Sequence, residues 1–161
     1  MIVRAAEVHE VDQLATIWYE GWNDAHAELV PPELKRERTR DSFRDRLRAA
    51  LADVRVAGPM SAPVGFAIVK GDELYQLYVS APARGSGVAA ALIDDAEAGL
   101  AASGVSTAWL ACAIGNHRAA RFYEKRGWHR TATIAYSADT ASGHFRLQVW
   151  RYEKLLIPAA S

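Results

Sequence analysis

The sequence predicts one α/β (α+β) domain: a mixed, mostly antiparallel sheet with one parallel β-α-β crossover and helices on both faces. Two observations predict it. Apolar segments at residues 64–70 and 73–79 are separated only by Gly71-Asp72, which is typical of the tight turn of an antiparallel hairpin. An alanine-rich helix and another apolar strand follow, and a strand, a helix and a strand in that order form a parallel crossover.

The elements before this hairpin follow from the spacing of apolar residues. Residues 2–5 form a short first strand, and apolar side chains then recur at positions 11, 14, 15, 18, 22, 25 and 29, which is one face of a helix over residues 8–29. Pro31-Pro32 ends that helix and opens a second one over residues 33–52. Its charged run, Lys35-Arg-Glu-Arg-Thr-Arg40, mixes both signs, so we interpret it as a solvated helix face. A strand at residues 53–57 follows.

The elements after the hairpin complete the sheet. The crossover consists of a helix over residues 86–103 and a strand at 107–111, and Asn116 caps a further helix that ends at Gly127. Two final strands, at residues 128–136 and 144–152, are joined through residues 139–143. We expect residues 1–157 to form a single domain and residues 158–161 a loose C-terminal tail.

Composition excludes several classes of protein. The chain carries 19 basic and 19 acidic side chains, so no overall field attracts nucleic acid or an anionic membrane. Its apolar runs are far shorter than the roughly 20 residues of a membrane helix, and its first residues lack the pattern of a signal peptide. The single cysteine, Cys112, excludes an internal disulfide and a cysteine-based zinc site, and we expect no metal. We therefore expect a cytoplasmic protein.

The most informative segment is the glycine loop Arg84-Gly-Ser-Gly-Val-Ala89, which joins the strand at 73–79 to the alanine-rich helix. Free amides at the start of a helix bind phosphate. Residues 85–90 also fit the Gly-x-Gly-x-x-Gly/Ala pattern of dinucleotide-binding folds, which requires an acidic residue about 20 residues further on. The strand at 107–111 and the following Cys112-Ala-Ile-Gly supply no acid, so a nicotinamide-dependent oxidoreductase is the weaker hypothesis.

A second motif favours another ligand. Residues 84–89 fit Arg/Gln-x-x-Gly-x-Gly/Ala, and residues 115–128, Gly-Asn-His-Arg-Ala-Ala-Arg-Phe-Tyr-Glu-Lys-Arg-Gly-Trp, are similar to Asn-x-x-Ala-x-x-Phe-Tyr-x-x-x-Gly-Phe. Both motifs, in this order, resemble those of the GCN5-related N-acetyltransferase (GNAT) family. The strand at 73–79 resembles the strand that leads into the first motif. The second strand lacks the acidic residue that many members carry, which leaves the acceptor open.

The resemblance implies that acetyl-coenzyme A is the cosubstrate. Residues 84–89 would hold its pyrophosphate. In the family the strand before this loop diverges from its parallel neighbour, which implies that main-chain N–H groups at Leu77 or Val79 stabilise the developing oxyanion. The implied cofactor-binding residues are Leu77, Val79, Arg84, Gly85, Ser86, Gly87, Val88, Ala89, Asn116, Ala119 and Phe122.

Two residues receive catalytic roles from the resemblance. Tyr123 would protonate the leaving thiolate, and Glu73 occupies the position of a glutamate base in one branch of the family. A regularly alternating strand puts Glu73 on one face with Tyr75, Leu77 and Val79. Alternatively, Tyr123 is a packing residue, Asn116 is a plain helix cap and Glu73 is an exposed acid after a turn. Other candidates for the base are Asp24, His26 and His144.

The first helix would contribute to the acceptor pocket. In the family its end lines that pocket, so Trp22 and His26 are the implied substrate-binding residues, with core packing as the alternative for Trp22. Cys112 is interpreted as a small buried hydrophobic residue, since no base lies beside it in sequence. This favours direct transfer over a covalent intermediate.

The resemblance therefore predicts an N-acetyltransferase that moves acetyl from acetyl-coenzyme A to a primary amine in a ternary complex. Its partner would be a small-molecule or peptide amine, with no nucleic acid and no membrane, and family members often form homodimers. The alternative is a catalytically inactive module that binds acyl-coenzyme A for regulation.

Overall fold

The structure is a computed structural model that describes residues 1–156. Its strands are β1 (Val3–Ala5), β2 (Val54–Ala57), β3 (Gly65–Lys70), β4 (Glu73–Val79), β5 (Thr107–Ala113), β6 (His129–Thr140) and β7 (Gly143–Leu155). Its helices are α1 (Val11–His26), α2 (Pro32–Glu37), α3 (Arg40–Ala50), α4 (Val88–Ala102) and α5 (His117–Lys125). The tail predicted at residues 158–161 lies outside the described residues.

One seven-stranded sheet carries the fold, in the order β1-β2-β3-β4-β5-β7-β6. Neighbouring strands are antiparallel except β4 and β5, which are parallel and joined by α4. The hairpin of β3 and β4 turns at Gly71, whose φ of +63° is a left-handed conformation that glycine adopts without strain. The predicted mixed sheet with one parallel crossover is confirmed. No helix within residues 1–156 combines the length and the apolar character needed to cross a membrane.

Two hydrophobic cores lie on opposite faces of this sheet. The helices α1, α2 and α3 cover one core, where Trp18 and Phe43 are fully buried with their ring centroids 4.8 Å apart. The helices α4 and α5 cover the other core, which contains Leu92. Along β3, Phe66 reaches the first core and Ala67 the second, as the two-residue period of a strand requires. Helices on both faces are therefore confirmed.

The helix predicted over residues 33–52 is two helices, because Thr39 interrupts it. The Thr39 hydroxyl oxygen accepts a hydrogen bond from the Ser42 amide at 3.0 Å and caps α3. This break turns Arg38 inward, where it is only 6% exposed and donates to the backbone carbonyl of Asp139. The interpretation of the charged run as a solvated helix face is therefore wrong for Arg38.

The final hairpin is longer than the sequence suggested. Its strands pair until Thr140 meets Gly143, so most of the segment expected as a loop is strand. Ala138 is buried and Ser137 before it is exposed, so the alternation of a strand continues beyond Tyr136.

A bulge in β4 contradicts the expected regular alternation of its side chains. Ile68 pairs with Gln76 while Val69 pairs with Leu74, which leaves Tyr75 as an extra residue on β4. A bulge of this kind shifts the alternation of side chains by one position.

The shift separates residues that a regular strand would put on one face. Leu77 and Val79 pack towards the core under α4 and α5, whereas Tyr75 and Tyr78 pack towards the core under α1 and α3. Leu74 packs in the same core as Leu77 and Val79, so its neighbour Glu73 points to the opposite face. The predicted common face of Glu73 with Leu77 and Val79 is therefore wrong.

Candidate active site

The site begins where β4 and β5 separate. Glu73 pairs with Trp109, and within the described chain no later residue of β4 pairs with β5. A cavity of about 540 Å³ opens between them, lined by Leu77 and Val79 from β4 and by residues 111–113 from β5. Because the facing strand edges are unpaired, their backbone N–H and C=O groups are available to a ligand.

The glycine loop closes one end of this cavity with free backbone donors. Gly85 and Gly87 have φ values of +77° and +88°, and an added Cβ would meet nothing within 4 Å at either position. Gly87 begins α4 without a side-chain cap, and in residues 1–156 no amide of residues 85–90 donates a hydrogen bond to the protein. Such amides, with the positive end of the helix dipole, fit a phosphate group.

Most of the predicted cofactor-binding residues come together here. All of them line the cavity except Ser86, whose hydroxyl instead donates to the backbone carbonyl of Ala83. Only the backbone amide of Ser86 belongs to the loop's free donors.

Arg84 is held at the cavity mouth by α1. Its guanidinium lies 2.7 Å from the carboxylate of Asp24, and Arg118 approaches the same carboxylate at 3.6 Å. The hydrogen bond from Arg84 lowers the pKa of Asp24. Asp24 does not line the main cavity, and a carboxylate bound by two guanidinium groups is a poor proton acceptor. The suggestion that Asp24 is the base is not supported.

Helix α5 supplies the wall opposite β4. The Asn116 side chain caps this helix by accepting from the Ala119 amide at 3.3 Å, as predicted, and Asn116, Ala119, Phe122 and Tyr123 all line the cavity. Burial raises the pKa of Tyr123, so its hydroxyl stays protonated. That hydroxyl has no hydrogen-bond partner among residues 1–156, which leaves it free to meet a ligand.

Cys112 lies in the cavity wall beside these residues and is 4% exposed. Burial raises the pKa of its thiol to about 11, so little thiolate forms at neutral pH. The interpretation of Cys112 as a small buried hydrophobic residue agrees with this position.

Glu73 reaches the cavity only through another side chain. It is 8% exposed and does not line the cavity, but Tyr136 does, and the Tyr136 hydroxyl donates to Glu73 Oε2 at 2.6 Å. Burial raises the pKa of Glu73, and the hydrogen bond from Tyr136 partly opposes this shift. A base role for Glu73 by direct contact with an amine is not supported.

Trp22 and His26 line the cavity as predicted, with their ring centroids 5.5 Å apart. Burial lowers the pKa of His26 to about 4, so its ring is neutral and a weak base at pH 7. His144 is largely exposed, lies 3.3 Å from Asp139 and does not line the cavity. The position of Trp22 and His26 in the cavity wall therefore agrees with the prediction, whereas a base role for His144 is not supported.

Sequence reasoning missed the residues at the far end of the cavity. Arg38, Arg46, Tyr75 and Tyr136 all contribute to its lining. A signal existed for Arg46, because it is three residues after the buried Phe43 and so lies on the buried side of α3. Arg38 and Tyr136 carry no such signal. Arg38 reaches the cavity because the helix is interrupted between α2 and α3, and Tyr136 reaches it from a strand that is distant in sequence.

Comparisons with known proteins give the family. The sequence matches the acetyltransferase (GNAT) family over residues 11–128. A search of curated proteins finds no significant match. Because the matched region covers most of the chain, the protein belongs to the acetyltransferase (GNAT) family.

Solved structures share the fold. A GCN5-related N-acetyltransferase from Rhodopseudomonas palustris is 22% identical, with a TM-score of 0.74 over 96% of this chain and 94% of that chain. PaiA N-acetyltransferase from Thermoplasma acidophilum, in complex with coenzyme A, is 18% identical, with a TM-score of 0.67 over 96% and 98%. An aminoglycoside 6'-N-acetyltransferase complexed with coenzyme A is 18% identical, with a TM-score of 0.69 over the full length of both chains. The recognised family and the fold are thus confirmed.

Proposed function

We propose that this protein transfers an acetyl group from acetyl-coenzyme A to a primary amine, by direct attack in a ternary complex. One observation carries the proposal: a single cavity joins the free amides of residues 85–90 to the unpaired edge of β4 and to the Tyr123 hydroxyl. The coenzyme A found in two of the similar structures supports the same assignment.

The chain offers complementary groups along the length of such a cosubstrate. The amides of residues 85–90 and the guanidinium of Arg84 would bind the pyrophosphate, and the small side chain of Ala119 leaves room beside the β4 edge. Acetyl-coenzyme A, when bound, supplies an acyl group already activated as a thioester. The protein then has to orient this group and manage charge and protons.

Charge on the reacting carbonyl would be stabilised by the backbone. The edge of β4 after Glu73 does not pair with β5, which supports an oxyanion hole made by main-chain N–H groups near Leu77 or Val79. Tyr123 would donate its proton to the sulfur as the carbon–sulfur bond breaks. A thiol with a pKa of about 11 makes Cys112 a poor nucleophile, which supports attack by the amine itself.

The amine must lose a proton, and we propose a relay for it. The Tyr136 hydroxyl lines the cavity and already donates to Glu73 at 2.6 Å. As the Tyr136 oxygen takes the proton from the amine, its own proton passes to the Glu73 carboxylate. Tyr136 therefore stays neutral and Glu73 becomes a neutral carboxylic acid. Glu73 acts here as a positioning and proton-storing group behind Tyr136.

The decisive experiment measures acetyl-coenzyme A binding and free thiol release with the same preparation. Catalysed thiol release that depends on an added amine, with formation of the N-acetyl product, is the expected result. Saturable acetyl-coenzyme A binding without amine-dependent release across a broad amine panel would favour the regulatory binding module. Binding of a reduced nicotinamide cofactor in a fluorescence titration, with no acetyl-coenzyme A binding, would contradict both.

A further inference from the structure

We infer that the amine acceptor also carries a carboxylate, which Arg38 and Arg46 bind at the end of the cavity away from the glycine loop. The inference rests on the proposed acetyl transfer and narrows its substrate class to small amines of the amino-acid type.

Arg38 is a buried cation that pairs with no carboxylate of the described residues. It donates to the backbone carbonyl of Asp139, but its Nε is buried without a hydrogen-bond partner, and among residues 1–156 it forms no ion pair. Burial and the neighbouring Arg46 lower the pKa of Arg38 to about 10, which leaves it charged at neutral pH.

Arg46 likewise pairs with no carboxylate of the described residues. Its guanidinium carbon lies 4.4 Å from the ring centroid of Trp18, and its Nη2 donates to the Tyr75 hydroxyl at 2.8 Å. Its Nε is buried without a partner, and it has no ion pair with any described carboxylate. Both arginines line the cavity.

The carboxylate of Asp139 contacts other side chains instead of the two guanidinium groups. The Asp139 carboxylate accepts from the Tyr75 hydroxyl at 2.5 Å, and it lies 3.2 Å from Lys70 and 3.3 Å from His144. Glu73 is bound by the Tyr136 hydroxyl. The two guanidinium groups therefore face the cavity without a direct carboxylate partner among residues 1–156.

Unsatisfied hydrogen-bond donors concentrate at the same place. Of the five buried side-chain nitrogen or oxygen atoms without a partner in the described chain, four belong to cavity-lining residues, and three are N–H donors of Trp18, Arg38 and Arg46. Leaving a buried charge without a counter-ion is costly, so two guanidinium groups that line a cavity and form no ion pair within the described residues are expected where a ligand supplies the acceptor atoms. The planar guanidinium matches a carboxylate in geometry as well as in charge.

The remaining walls define the rest of the acceptor. Trp18, Trp22, Tyr75 and Tyr78 surround the space beside the arginines. These rings suit an apolar or aromatic side chain between the carboxylate and the amine. An aromatic amino acid has all three groups.

Matched pairs of acceptors test the inference with the intact protein. We compare kcat/KM for thiol release with L-phenylalanine and 2-phenylethylamine, and with L-tryptophan and tryptamine, since each pair differs only in the carboxylate. The acid of each pair is expected to be the better acceptor by roughly 10- to 100-fold, the usual range for hydrogen bonds to a charged group.

Variants assign the preference to the arginines. Arg38→Met should reduce the acid-to-amine ratio of kcat/KM roughly tenfold or more, mainly through KM, and Arg46→Lys should reduce it less because the charge remains. Arg48→Met is the matched control, since Arg48 is 60% exposed on the same helix α3 and does not line the cavity. Thermal unfolding of each variant separates a lost contact from a lost fold.

Binding of product analogues completes the test if turnover is slow. With coenzyme A bound, N-acetyl-L-phenylalanine should quench the fluorescence of Trp18 and Trp22 at lower concentration than N-acetyl-2-phenylethylamine. Equal or weaker binding and acetylation of the acids, or an unchanged preference in a folded Arg38→Met, would overturn the inference and leave acetyl transfer standing. Failure to bind acetyl-coenzyme A would instead refute the proposed function.

Discussion

Replacing Tyr123 by phenylalanine removes one oxygen from the cavity wall and leaves the ring in place. The Tyr123 ring packs against Phe122, Trp128 and Tyr152, with centroid separations of 5.6, 6.3 and 6.2 Å. Since its hydroxyl bonds to no other described residue, we expect the free energy of unfolding to change by less than about 0.5 kcal/mol. The acetyl-coenzyme A dissociation constant should likewise change by less than about threefold, because the hydroxyl acts on sulfur only as the thioester breaks.

Turnover should respond very differently. A general acid contributes about 10²- to 10⁴-fold to the rate, so Tyr123→Phe should lower kcat by that factor, equivalent to about 3–5 kcal/mol in the activation barrier. Burial raises the pKa of Tyr123, which keeps the acid protonated throughout the neutral range. We therefore expect the loss to be similar at every pH from about 6 to 9.

The assay is steady-state thiol release at saturating acetyl-coenzyme A, with the dissociation constant measured separately by calorimetry. Tyr19→Phe is the matched control, because Tyr19 is a partly buried tyrosine on α1 that does not line the cavity. A kcat of Tyr123→Phe within threefold of the unaltered protein would refute the assignment. So would a fall in kcat that only follows a fall in the melting temperature.

Three other substitutions have defined outcomes. Glu10→Gln should lower the free energy of unfolding at pH 7 by about 3 kcal/mol, because Arg4 holds the pKa of Glu10 at about 2 rather than 4.5. Urea titrations of the unaltered protein should show this contribution in full above pH 4.5 and its loss as the pH falls through about 2. Gly87→Ala should cost about 1 kcal/mol of stability, since its φ is +88°, and calorimetry should show weaker acetyl-coenzyme A binding by roughly tenfold. Tyr136→Phe removes the hydroxyl through which Glu73 reaches the cavity, so kcat/KM should fall by roughly 10²-fold or more, whereas an unchanged kcat/KM in the folded variant would contradict the relay.

The end of the cavity at the glycine loop was predictable because its residues are close in sequence. A strand end, a glycine loop and a helix start adjoin one another in residues 73–89, so their geometry follows from local rules of turns and helix ends. The helix at 117–125 is also local, because its cap and its periodicity put Asn116 and Tyr123 on one side. Nearest-neighbour patterns therefore located most of this end of the cavity.

The far end of the cavity, away from the glycine loop, could not be predicted in the same way. Arg38 enters the cavity because Thr39 starts a new helix, and Tyr136 enters it from a strand 63 residues beyond its partner Glu73. Burial of a charged residue contradicts the usual distribution of arginine, so composition and periodicity favour the surface. Only the tertiary arrangement reveals that these groups share one space.

The bulge at Tyr75 explains both the failed expectation for Glu73 and the form of the site. The bulge reverses the face of the odd-numbered residues of β4. Tyr75 packs towards the core under α1 and α3, where the arginines lie, whereas Leu77 and Val79 face the core under α4 and α5. The gap between β4 and β5 connects these two faces through the sheet, because one cavity is lined from both. In the proposed reaction, an amine held on one face would meet a thioester held on the other, at the unpaired backbone of β4.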